Sequence, residues 1–110
     1  MSLHFLDLGY ADDPTFKWEG GDYSRNLPNT VVAFGSIGSR FVEAIGLLES
    51  PRYGGHRLDF GSIGARLTKS QVIQFLTEFY SGESQLNDMI RMLDSIPEER
   101  LCVLFAWEDG

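Results

Sequence analysis

Leu101-Cys102-Val103-Leu104-Phe105-Ala106-Trp107 is the longest unbroken apolar run in this 110-residue chain. Pro97-Glu98-Glu99-Arg100 makes a turn before it, and Glu108-Asp109-Gly110 follows it. The run is far too short to span a membrane. It has no polar face, so it does not read as a half-exposed surface strand. A continuous apolar run bounded by turns fits a strand covered on both faces, in the interior of a sheet. The rest of the chain must supply its neighbours and its covers.

Three other stretches read as strands. Leu3–Leu8 alternates imperfectly and is closed by Gly9 and Tyr10. Thr30–Phe34 is rich in β-branched and aromatic residues and ends at Gly35. His56–Phe60 is shorter, with Arg57 and Asp59 expected to point away from Leu58 and Phe60. Three helices are expected. Ser39 caps the first, which runs to about Glu49 with Phe41, Ala44, Ile45 and Leu48 on one face. Ser50-Pro51 stops it, because the residue before proline leaves the helical region. The second starts at Thr68, which has capping-box spacing to Gln71, and runs to Tyr80. Val72, Phe75, Leu76 and Phe79 form its apolar stripe. Ser84 caps the third, where Leu86, Met89, Ile90, Leu93 and Ile96 recur at helical spacing. Ala11–Asn26 is a polar loop broken by Pro14 and Gly20-Gly21, with room for a short edge strand at Thr15–Glu19. The expected architecture is one α+β domain over residues 1–110: a mixed four- to five-stranded sheet, about three helices packed on it, and the C-terminal strand interior.

A seven-residue phrase occurs twice. Phe34-Gly35-Ser36-Ile37-Gly38-Ser39-Arg40 returns as Phe60-Gly61-Ser62-Ile63-Gly64-Ala65-Arg66, with only Ser39 and Ala65 differing. Each copy follows a strand-like stretch and precedes a helix-like one, which suggests two related strand–turn–helix units. Two copies are too few for a solenoid. A Gly-Ser-x-Gly turn before a helix can offer backbone N–H groups and a hydroxyl to an anion. Gly35, Ser36, Gly38 and Arg40, with Gly61, Ser62, Gly64 and Arg66, therefore form an alternative site for a phosphate or carboxylate ligand. Against it, neither copy is a P-loop or a dinucleotide fingerprint. The Gly-x-x-Gly loop of KH domains clamps nucleic acid, but these interiors are Ser-Ile, without Lys or Arg. Glycines at turns are the plainer reading.

Composition narrows the function classes. A hydrophobic fraction of 43% is that of a globular domain. The net charge is −7, which repels phosphate backbones and favours basic partners. Cys102 is the lone cysteine, so no internal disulfide can form, and its apolar surroundings point to packing. His4 and His56 are isolated, so zinc spacing is absent, and Asp12-Asp13 lacks calcium-loop spacing. No Gly-x-Ser-x-Gly elbow occurs. Ser62 has only His56 and Asp59 near it in sequence as candidate bases. The chain reads as non-enzymatic, without metal or cofactor. Nothing resembles a signal peptide or a membrane span, so the expected location is cytoplasmic.

What remains is acidic and aromatic. Asp12, Asp13, Trp18, Glu19, Asp22 and Tyr23 lie in the first loop, Glu98 and Glu99 before the interior strand, and Trp107, Glu108 and Asp109 at its end. Carboxylates speed encounter with a basic protein, and aromatics supply buried anchors. In general character, and through no specific motif, such a small acidic domain resembles the immunity proteins that bacteria pair with toxins. It is similar in the same way to phage-encoded inhibitors that mimic nucleic-acid charge. The resemblance implies an inhibitor that blocks a basic protein, a toxin or a nucleic-acid-handling enzyme, by steric and electrostatic occlusion. It implies no direct contact with nucleic acid or membrane, and a monomer or homodimer.

Overall fold

The computed structural model describes residues 3–20 and 24–109. Its strands are β1 (Leu3–Tyr10), β2 (Val32–Ser36), β3 (His56–Asp59), β4 (Ser62–Leu67) and β5 (Cys102–Asp109). Its helices are α1 (Phe41–Leu48), α2 (Lys69–Phe79) and α3 (Leu86–Arg91), with a 3₁₀ turn at Gly38–Arg40 leading into α1. The sheet order is β2-β1-β5-β4-β3, so the apolar C-terminal strand is central, as its sequence demands. The fold is α+β. Among the described residues all four strand pairings are antiparallel, so the expected mixed sheet is corrected. A parallel neighbour would have come from a repeated strand–turn–helix unit. The second copy of the repeat is instead the turn that joins β3 to β4 and all of β4 but its last residue.

Both faces of β5 are covered, by different means. Cys102, Leu104 and Ala106 face the main core, built with Leu6, Leu8, Ala65 and Leu67 and the helical Ala44, Leu48, Val72, Phe75, Leu76 and Phe79. Val103 and Phe105 face a second, smaller cluster with Phe16 and Leu58, closed by Ala11, Trp18, Leu27 and Trp107. The second cover is therefore the long connection between β1 and β2, not a helix. Burying side chains of this size stabilises by about 1.5–3 kcal/mol each, which is enough to hold an irregular segment down. Asn26 is its staple. Its side chain accepts from Lys17 N at 2.8 Å and donates to the carbonyls of Lys17 and Leu58, each at 2.9 Å. This network satisfies backbone groups that a loop over a sheet would otherwise strand. Thr15–Glu19 forms turns rather than the edge strand, since its donors serve this network and Asp13 instead of a ladder.

Local devices succeed where their chemistry is complete. The Thr68–Gln71 capping box closes in both directions at the start of α2. Ser39 and Ser84 do not cap: α1 begins after Arg40 and α3 after Gln85, neither with a side-chain cap. α3 ends at Arg91, and Leu93 and Ile96 reach the core from the turns beyond it. Two strand windows shift. β1 continues through Gly9 to Tyr10, and β2 runs through Gly35 to Ser36. Each edge of the sheet carries an irregularity that inserts a residue, Phe34 in β2 and Leu58 in β3. The second overturns the alternation expected in His56–Phe60: Leu58 and Asp59 are both buried, and Phe60 is exposed at the hairpin tip. Across the sheet, Ser36, Phe5, Trp107 and Ser62 align in one row.

Candidate functional site

The acidic residues separate into two groups. Asp12 accepts from the Arg100 guanidinium at 2.9 Å, and Ala11 N donates to Leu101 O at 3.0 Å. The first-loop pair thus stands at the start of β5, beside the exposed Glu98 and Glu99. Glu98 lies 3.5 Å from Lys69. Asp13 is structural: it accepts from Thr15 N at 2.8 Å, Thr15 Oγ1 at 2.6 Å and Asn29 N at 2.7 Å. Those bonds, led by the Thr15 hydroxyl, hold its carboxyl below the ordinary value. Glu108 and Asp109 stand at the other end of β5, about 24 Å away by strand rise. Glu19 is exposed beside Gly20, which packs against the Arg57 and Leu58 carbonyls. Trp18 packs inward, edge-on to His56 at 4.2 Å, with the Arg66 guanidinium 5.0 Å from its ring centre. Asp22 and Tyr23 lie outside the described residues.

The end of the sheet at Trp107 gathers the most chemistry. The half-buried Trp107 donates its indole N–H to Asp7 Oδ2 at 2.9 Å, and its ring lies 5.0 Å from that of Phe5. The Arg25 guanidinium sits 4.6 Å from the indole centre. Asp7 also accepts from Thr30 Oγ1 at 3.2 Å. Asp59, at the foot of the β3–β4 hairpin, accepts from Asn26 N at 2.8 Å, Ser62 Oγ at 2.6 Å and Gly61 N at 3.0 Å. Both carboxylates are buried, and neither has an ion pair among the described residues.

Above them runs a groove of about 370 Å³, walled by Arg25, Leu27, Asp59, Phe60, Trp107 and Glu108. Phe60 is 69% exposed at its rim. On the helix side of the same hairpin lies a second groove of about 350 Å³, lined by Phe41, Ile45, Phe60 and again Glu108. His4 lies 3.8 Å from Glu108 and stacks on Phe41 at 4.1 Å. Arg57 is engaged by the Asp59 and Phe60 carbonyls at 3.2 and 3.3 Å.

The two glycine phrases do not form one anion site. Ser36 and Ser62 lie in the same row of the sheet but three strand spacings apart, about 14 Å. Gly35 and Ser36 belong to β2, and Gly38 opens the 3₁₀ turn. Gly61, Ser62, Gly64 and Arg66 belong to the hairpin and β4, so the turn leads into a strand and α2 begins only after it. Arg40 is engaged by Glu43 at 2.9 Å, Glu83 at 2.6 Å and the Phe79 carbonyl, and lies 3.9 Å from the Phe79 ring centre. The hydrogen bond to Glu43, then that to Glu83, raises its affinity for its proton. Ser62 gives its hydroxyl hydrogen to Asp59, while His56 lies opposite Gly64 with Nδ1 at the Arg57 carbonyl. Among the described residues, no helix is long and apolar enough to cross a membrane.

Four residues of this end were not singled out from sequence as site residues: Asp7, Arg25, Asp59 and Phe60. Asp7 had a signal, a carboxylate inside an apolar strand. Asp59 had another, since Asp followed at two residues by Gly is turn chemistry. Comparison with protein-family models, with curated proteins and with solved structures finds no match to this chain.

Proposed function

We propose that this protein is a non-enzymatic inhibitor that binds a basic protein partner and covers its working surface, as a toxin-immunity protein does. The observation that carries this reading is Phe60, a large apolar side chain presented at a hairpin tip beside Glu108 and Asp109, with a groove on either side. An aromatic anchor beside carboxylates suits a cationic surface: the charge accelerates encounter, and the ring supplies contact that water cannot replace. The net charge of −7 extends the attraction beyond the contact itself. The rigid sheet underneath keeps the ordering cost of binding low. The setting that fits is the cytoplasm of a cell that makes the basic partner.

Capture of the partner by the tagged protein, followed by kinetics on the purified pair, tests this. Glu108→Lys with Asp109→Lys should slow association and make it less salt-dependent. Phe60→Ala should speed dissociation, with a cost of about 2 kcal/mol if it is a hot spot. Glu98→Lys with Glu99→Lys, at the far end of β5, should change neither rate by more than a rim charge does. If reversal at both ends leaves affinity and association rate unchanged, the basic-partner reading is wrong.

A further inference from the structure

We infer that the face of Trp107 is a guanidinium subsite, filled in the free protein by Arg25 and taken over on binding by an arginine of the partner. The inference rests on the basic-partner reading above and names what that partner inserts. Three observations meet at this one ring. Arg25 already holds its guanidinium 4.6 Å from the indole centre, so the groove admits a group of that size and shape. The indole N–H donates to Asp7, and a donor bonded to an anion enriches its own π system, strengthening the attraction for a cation. Asp59 and Glu108 line the same groove, and Asp7 holds the edge of the ring at its N–H. Asp7 and Asp59 are buried, where water and salt screen them least.

The occupant is built to leave. Arg25 is exposed, while the next residue is the buried Asn26. Asn26 is tied to Asp59, Lys17 and Leu58 through backbone and side chain. Arg25 can therefore rotate away without loosening the segment that covers the sheet. Arginine fits better than lysine because its planar, weakly hydrated guanidinium stacks on an aromatic face. Arg25 would then act as an internal competitor that keeps the Trp107 face covered until an arginine at high local concentration replaces it.

The test uses acetyl-Gly-Arg-Gly-amide, with the neutral citrulline peptide as control. The readout is the Trp107 indole N–H resonance, distinguished from that of Trp18 by Trp18→Phe. The arginine peptide should shift the Trp107 resonance, and the citrulline peptide should not. Arg25→Ala should tighten binding about two- to fivefold, the factor expected from removing an exposed cation–π contact. Glu108→Gln should weaken it. An unshifted indole resonance in ligand-free Arg25→Ala, apart from the local ring effect, certifies that the Asp7 bond survives. If Arg25→Ala leaves affinity unchanged or lowers it, the subsite is wrong. Should the peptide then still depend on Glu108 and Asp109, the acidic-end reading stands without it. If the peptide binds no variant, the subsite fails as well. Displacement at Trp107 alongside a true partner that ignores charge reversal would leave the subsite standing and overturn the basic-partner reading.

Discussion

The two copies of Phe-Gly-Ser-Ile-Gly-x-Arg share six of seven residues and almost nothing of their structure. In the first, Phe34 is inserted into the edge strand and buried to 7% exposure, while Ser36 is exposed. In the second, Phe60 is 69% exposed and Ser62 is buried. Gly35 and Gly38 take positive φ, 101° and 51°, and turn the chain into α1. Gly61 and Gly64 do not, and Gly64 lies in β4, where a Cβ would come 2.5 Å from Leu58 Cδ1. The difference comes from the flanks. Asp59 precedes the second copy and accepts from Gly61 N and Ser62 Oγ, fixing a tight turn. The equivalent residue before the first copy is Ala33, whose side chain has nothing to accept with. After the second copy, Thr68 begins α2 almost at once, leaving β4 only a short extended path. A seven-residue phrase thus specifies less than the carboxylate in front of it.

The phenylalanines give the widest contrast. Phe34→Ala should cost about 3–5 kcal/mol, as a buried aromatic truncation does, because it empties part of the main core. Phe60→Ala should stay within about 0.5 kcal/mol of wild type, as an exposed substitution does. Its effect belongs in partner binding instead. Denaturant unfolding of the two variants checks this, and similar losses would mean that the copies are equivalent after all.

Making the copies identical is the next test. Ala65 is fully buried in the helix-side core, and its counterpart Ser39 is exposed on the 3₁₀ turn. The one difference between the phrases therefore follows burial. Ala65→Ser should cost about 1–3 kcal/mol, because it buries a hydroxyl among apolar neighbours. Ser39→Ala should be near neutral, since Ser39 makes no capping bond. Equal effects would remove the burial explanation for the substitution.

What was legible follows the range of the forces involved. The interior position of the C-terminal strand could be read because Cys102–Ala106 are apolar on both faces, although Leu101 stays outside the strand and exposed and the strand runs on to Asp109. The capping box at Thr68 and the stripe Val72–Phe75–Leu76–Phe79 were local signals, and each is realised. The antiparallel hairpin was missed because the repeated phrase suggested a repeated unit, while its determinant was one aspartate outside the phrase. The loop that covers the second face of β5 was opaque for another reason. Its bonds join Asn26 to Asp59 and Leu58, more than thirty residues away in sequence. The candidate site divides in the same way. Trp107, Glu108 and Asp109 are neighbours in sequence and remain so in space, whereas Arg25, Asp7 and Phe60 reach them only through the sheet and its cover.

Asp13 offers the finest comparison, because it does for the segment before the first copy what Asp59 does before the second. It gathers Thr15 N, Thr15 Oγ1 and Asn29 N, closing the covering loop one residue before Thr30. It does so near water, so the effect should be smaller than that of Ala65→Ser. The bonds from Thr15 and Asn29 lower the carboxyl in the folded state from its ordinary 3.8. A lowered folded value means that the stabilisation is present above 3.8 and is lost as pH falls through the folded value. The stability gap between wild type and Asp13→Ala should therefore be constant near neutral pH and shrink on acidification below 3.8. The gap, rather than either curve alone, removes the contribution of the other carboxylates. A gap that stays flat or widens on acidification would mean that the ionised carboxylate is not what holds this loop, and that covering the sheet depends on Asn26 and apolar burial alone.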